Sequence, residues 1–161
     1  MYKKNLLIYI ALLFCGCGNG FSQSLTTEST TTKTDSIYNA KYKEFYEKFL
    51  NYYCSEPNLK MRRLSYEFKK KMNYNGNDFD IMLRGLTWVK ENIDRTEFSS
   101  IEEAESEWQA YIDAKMIDWK ENYEYHKYYG EFIMKHIDVF KDVVKDVRAN
   151  HQRTTNPWLF E

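Results

Sequence analysis

Turn-forming residues are scarce. The chain has two prolines and six glycines in 161 residues. Gly16, Gly18 and Gly20 lie near the N-terminus, so Gly76, Gly85 and Gly130 are all that remain for the body. A β-sandwich or barrel needs many tight turns, and tight turns draw on such residues. The shortage excludes those folds and favours helices. Excess charge of one sign is also missing: 23 basic residues stand against 24 acidic ones. Non-specific nucleic-acid binding, which relies on surplus positive charge, is therefore not expected. The longest apolar run near the start, Leu6 to Phe14, is too short to span a membrane. No HxxxH, ExxH or CxxC spacing occurs, and no serine or cysteine sits in a nucleophile elbow. The chain is accordingly expected to lack a cofactor and not to be an enzyme.

Aromatic residues are abundant. Ten Phe, fourteen Tyr and four Trp supply much buried area per residue and help a short chain close a core. Tyrosine also suits interfaces, where one end of the ring is apolar and the other wet. Composition does not separate these two uses.

Residues 1–22 have the layout of a secretory signal peptide. Lys3 and Lys4 give a positive start, the apolar run follows, and Gly20 and Ser22 fall at the −3 and −1 positions of a cut before Gln23. A second cut is marked by Phe14-Cys15-Gly16-Cys17, which resembles a bacterial lipobox with Cys17 as the lipidated residue. Phe14 stands where such motifs usually carry leucine. Either cut removes both lysines and no acidic residue, leaving a mildly acidic mature chain. The expected location is extracytoplasmic: periplasmic or secreted, with an outer-membrane lipoprotein as the alternative and the lipid anchor as the only membrane contact. Soluble export leaves Cys54 as a single thiol. Such a thiol is expected to be buried or to bond between molecules.

Residues 23–34 carry one large apolar side chain and no periodicity, the pattern of a Thr/Ser-rich flexible tether. Asp35-Ser36-Ile37 resembles an O-glycosylation tripeptide, and Asp35 or Ser36 equally suits a helix cap. From there the spacing is helical. Tyr38, Tyr42, Phe45, Phe49 and Tyr53 predict a helix over about 36–54. Ser55-Glu56-Pro57 is a break and restart. Met61, Leu64, Phe68 and Met72 predict a second helix, ended by the loop Asn73–Asn77. Phe79, Met82, Leu83, Leu86, Val89 and Ile93 predict a third. Ser99 with Glu102, or Ser100 with Glu103, fits a capping box opening a fourth helix. Its stripe is Ile101, Ala104, Trp108, Ile112, Lys115/Met116, Trp119 and Tyr123. A final stripe, Tyr129, Phe132/Ile133, Ile137, Phe140, Val144 and Val147, runs to about 149. One rod over 100–149 would measure about 75 Å, so a corner is expected near 127–130, at Gly130. The predicted fold is all-α: one domain over 35–161, a bundle of four to five mostly antiparallel helices with an aromatic core and a tail at 151–161.

Candidate sites are few. His126 and His136 both touch apolar stripes, and share a metal only if the chain turns between them. Residues 57–72 hold Lys60, Arg62, Arg63, Lys69, Lys70 and Lys71 against Glu67: a solvated face, or a surface for an acidic partner, with the acidic run at 102–107 as an intramolecular counterpart. Asp138, Asp142 and Asp146 form an acidic line relieved by Lys141 and Lys145, which suggests a plain exposed face. Trp158-Leu159-Phe160 either caps an open end of the bundle or inserts into a partner's groove. The expected function is an exported protein-interaction module, of inhibitor or immunity type, binding another envelope or extracellular protein through Trp158, Leu159, Phe160, Arg62 and Arg63. The alternative is a carrier of a small apolar ligand in an aromatic pocket.

Overall fold

The computed structural model describes residues 31–74 and 78–161, with side chains described for 35–74 and 84–161. Among these residues there is no strand. Six α-helices follow one another: α1 Thr31–Tyr53, α2 Glu56–Met72, α3 Asp78–Glu91, α4 Ile101–Glu121, α5 Tyr123–Lys135 and α6 Ile137–Thr155. Two 3-10 turns, Ile93–Arg95 and Pro157–Phe160, complete the set. The helical class is as expected, but the count exceeds four to five.

The extra helix comes from where the long C-terminal stretch breaks. Gly130 does not turn the chain; it is buried in the middle of α5. The breaks fall at Asn122 (φ −102, ψ 24) and His136 (φ −141, ψ 49). Asn122 leaves the helix while its side-chain amide donates to the Asp118 carboxylate at 2.8 Å and to Ser55 Oγ at 3.2 Å. Such local side-chain bonding is how asparagine competes with helix. After His136 the chain doubles back, bringing Phe140 edge-on to Tyr129 at 5.5 Å. The expected tail from 151 is also shorter, because α6 continues to Thr155 through a non-helical His151.

Other boundaries follow local chemistry. α1 begins at Thr31, inside the segment expected to be a tether, so neither Asp35 nor Ser36 caps it. Residues 1–30, with the expected leader, Cys17 and most of the expected tether, lie outside the described residues. Ser55 is the extended N-cap of α2, with Pro57 in the first turn, where a missing N–H costs nothing. Asn73 ends α2 in the left-handed region at φ 53, a conformation asparagine tolerates. Ser100 caps α4 by accepting from Glu103 N–H, while Ser99 N–H and O–H donate to the Glu103 carboxylate. Of the two candidate caps, the Ser100–Glu103 pair forms.

The helices make two cores. One joins α1, α5 and α6 through Phe45, Phe49, Tyr129, Phe132, Val139, Val143 and Val147. The other joins α2, α3 and α4 through Phe68, Met72, Val89, Phe98 and Ala104. In the first lobe α5 runs antiparallel to α1, because Phe45 stacks on Phe132 and Tyr52 on Tyr125. α6 instead runs parallel to α1: Tyr38 donates to Asp142, Tyr42 to Asp146, and Tyr46 bonds His151 at 2.6 Å. The Asp142 and Asp146 carboxylates thus clasp α1, correcting the expectation of a plain exposed face. In the second lobe α2 and α4 are antiparallel, with Phe68 against Trp108 and Lys71 between Glu103 and Glu107.

The buried face of α4 differs from the expected stripe. Ala104, Tyr111, Ala114 and Asp118 are buried, while Met116, Ile117 and Tyr123 are exposed. Two alanines on that face permit close approach of the facing helix, which large side chains would prevent.

Candidate functional site

The two lobes meet at a polar junction built from α1, α4 and α5. Asp118, 3% exposed, is its centre. Tyr52 O–H donates to Asp118 Oδ2 at 3.3 Å, His126 Nε2 lies 3.3 Å from the same oxygen, and Asn122 Nδ2 holds Oδ1. A carboxylate only accepts, so Nε2 carries the hydrogen in this pair. His126 stacks on Trp119 at 4.6 Å and meets Tyr52 edge-on at 5.2 Å. Tyr125 lies flat on Tyr52 at 4.0 Å. Burial pushes the Tyr52 and Tyr125 phenols well above their ordinary pKa, so both stay protonated donors at neutral pH. His126 Nδ1 and Tyr125 Oη are buried and make no hydrogen bond.

Asp118, Asn122 and His126 recur every fourth residue, which is the signal the sequence offered for this group. It was missed because Asp118 sits beside Trp119, and the neighbouring aromatic defined the stripe. Chemically, the cluster is a set of hydrogen bonds converging on the Asp118 carboxylate. His126 is 3% exposed, so the ring is shut off from any substrate in solution.

His136 does not join it. It occupies the α5–α6 joint against Phe132 at 4.9 Å, at the far end of α5 from His126. Ten residues of helix separate the two by about 15 Å. Among the described residues, no group of three or more His, Cys, Asp or Glu side chains is placed to hold a metal. Cys54, expected to be interior, is half-buried and free, and burial pushes its thiol pKa up.

A second arrangement forms where the C-terminus crosses α2. Arg62, expected on a basic outer face, turns inward. Its guanidinium lies 3.9 Å from the Tyr53 ring and 5.3 Å from the Trp158 ring. Nη2 donates to the Tyr53 carbonyl at 2.6 Å and Nη1 to Asn156 Oδ1 at 2.7 Å. Arg63 stays exposed, paired with Glu67 at 2.8 Å and with Glu161 at 3.2 Å. Trp158 is buried, whereas Leu159 and Phe160 are 43% and 53% exposed. Arg153 lies 5.2 Å over the Phe160 ring. Of the basic run, Lys71 pairs with Glu103 and Glu107 of the acidic run, while Glu105 pairs with Lys90, which lies outside the basic run.

No family model, curated protein or solved structure matches this chain. No helix among the described residues is long and apolar enough to cross a membrane.

Proposed function

We propose that the chain is an exported, non-catalytic protein-interaction module of the inhibitor or immunity type, and that it meets its partner through the C-terminal turn. The observation that carries this reading is the split within three consecutive residues: Trp158 is buried while Leu159 and Phe160 face outward. The buried indole and the Asn156–Arg62 bond fix the turn before any partner arrives. A preordered contact loses less conformational entropy on binding. Aromatic and arginine side chains supply most interface energy; Arg153 lies over the Phe160 ring, and Arg63 pairs with the adjoining Glu161.

The test is crosslinking of the purified protein into the envelope and secreted fractions of its own cells. Wild type is compared with a Leu159→Glu/Phe160→Glu double variant and with Met134→Glu. Met134 is 77% exposed near the α5–α6 joint, away from the turn. One defined partner is expected with wild type and Met134→Glu, and none with the double variant. Equal capture by all three, or no specific partner, removes the proposal.

A further inference from the structure

Arg62 is a half-buried cation. Its two hydrogen bonds go to neutral groups, a backbone carbonyl and an asparagine amide. Among the described residues no carboxylate pairs with it, and its Nε is buried with no partner. Lys71 in the second lobe makes the contrast: more exposed, it nonetheless holds two carboxylates. Withdrawing a charge from water is costly unless it is paired, and guanidinium pairs best with a planar carboxylate through two parallel bonds. A second buried polar group lies one helical turn earlier on the same face of α2. Asn58 is 1% exposed, and its Oδ1 also lacks a partner. The walls are aromatic, Tyr53 on one side and Trp158 on the other.

We propose that Arg62, beside the Tyr53 ring, is a binding site for a small aromatic carboxylate, closed in this conformation by the C-terminal segment 156–161 with the Trp158 indole in the place of the ligand's ring. The Asn156 amide oxygen occupies the position a ligand oxygen would take on Nη1. A carboxylate arriving there replaces a neutral acceptor with a charged one and can take two parallel bonds from the guanidinium. The ligand's ring takes up the aromatic surface that Trp158 covers. This site lies on α2 and Tyr53 beneath the C-terminal segment, whereas the proposed partner contact uses that segment's outer side. Either can fail without the other.

Thermal unfolding of the full chain at constant ionic strength tests the idea, with benzoate, acetate and inorganic phosphate as probes. Benzoate is expected to raise the melting temperature progressively with concentration, as mass action requires of a ligand of the native state. Acetate is expected to act more weakly and phosphate not at all. Asn156→Asp supplies an internal carboxylate to Arg62 and retains the side-chain shape. It is expected to melt higher than wild type without ligand and to lose the benzoate response. Arg62→Met is expected to lose the response as well; if that variant does not fold, Asn156→Asp still decides. A titration followed at the Arg62 Nε–H resonance is expected to shift with benzoate in wild type only. The site is refuted if benzoate leaves wild type unchanged, or if Asn156→Asp responds equally. Acetate matching benzoate would refute the aromatic specificity.

Discussion

The α1/α5/α6 lobe and the α2/α3/α4 lobe solve the same packing problem with different side chains. The first is dominated by stacked rings. Phe45 touches Phe49, Tyr128, Tyr129, Phe132 and Phe140, and its polar seam consists of two phenols donating to carboxylates and a third bonded to a histidine. The second has fewer rings around Phe68, and its seam consists of lysines on glutamates. One lobe thus depends on tyrosines keeping their protons, the other on glutamates losing theirs. The two therefore have opposite sensitivities to pH.

Substitution of the central rings should separate the lobes most sharply. Phe45→Ala is expected to cost about 4 kcal/mol and Phe68→Ala about 3 kcal/mol, within the usual range for buried aromatics. Phe45 ranks first because more rings close around it; chemical denaturation that reverses this order would break the contrast. At the junction, Asp118→Ala leaves Tyr52, His126 and Asn122 without their common acceptor. It is expected to cost about 2–3 kcal/mol and to loosen both lobes together, visible as simultaneous loss of hydrogen-exchange protection in α1 and α4. Smaller still, Ser100→Ala removes the α4 cap and should cost about 1 kcal/mol, with the loss confined to the second lobe.

The weakest effects are those of pH. Hydrogen bonding to Asp142 raises the Tyr38 phenol from 10.0 to about 12. Its folded form holds the proton more tightly, so its contribution is complete below pH 10 and disappears as pH rises towards 12. Lys71, together with Ser99, lowers Glu103 from 4.5 to about 2. That contribution is complete above pH 4.5 and disappears as pH falls towards 2. Melting temperature measured against pH should therefore decline at both ends. Tyr38→Phe should flatten the alkaline limb alone, and Glu103→Gln the acid limb alone.

Features set by neighbours in the chain were legible. The α1 spacing, the Ser55-Glu56-Pro57 restart, the helix stop at Asn73 and the Ser100–Glu103 cap each depend on residues within a turn of one another. Features set by distant residues were not. Asn122 and His136 break the helix with no glycine or proline to announce them, and at Asn122 one partner is Ser55, at the break between α1 and α2. Gly130 misled because a small residue in a buried helix face leaves the same mark as a hinge. Arg62 lies in a basic run, and only contacts with Asn156 and Trp158 bring it inside. The tyrosine–aspartate clasp needed the knowledge that the first and last helices lie side by side and point the same way.

That clasp bears on the order in which the molecule assembles. Its hydrogen-bonded partners are 104 or 105 residues apart, while Lys71 and its glutamates are separated by 32 and 36. Closing the longer loop costs more entropy, and distant pairings form late. As the polypeptide leaves the ribosome, α2, α3 and α4 can settle while α1 still waits for α6 to emerge, its greasy tyrosine and phenylalanine side uncovered. The first of the described helices to be synthesised is thus among the last to be sheltered. Pulsed hydrogen exchange during refolding should find α2 and α4 protected before α1.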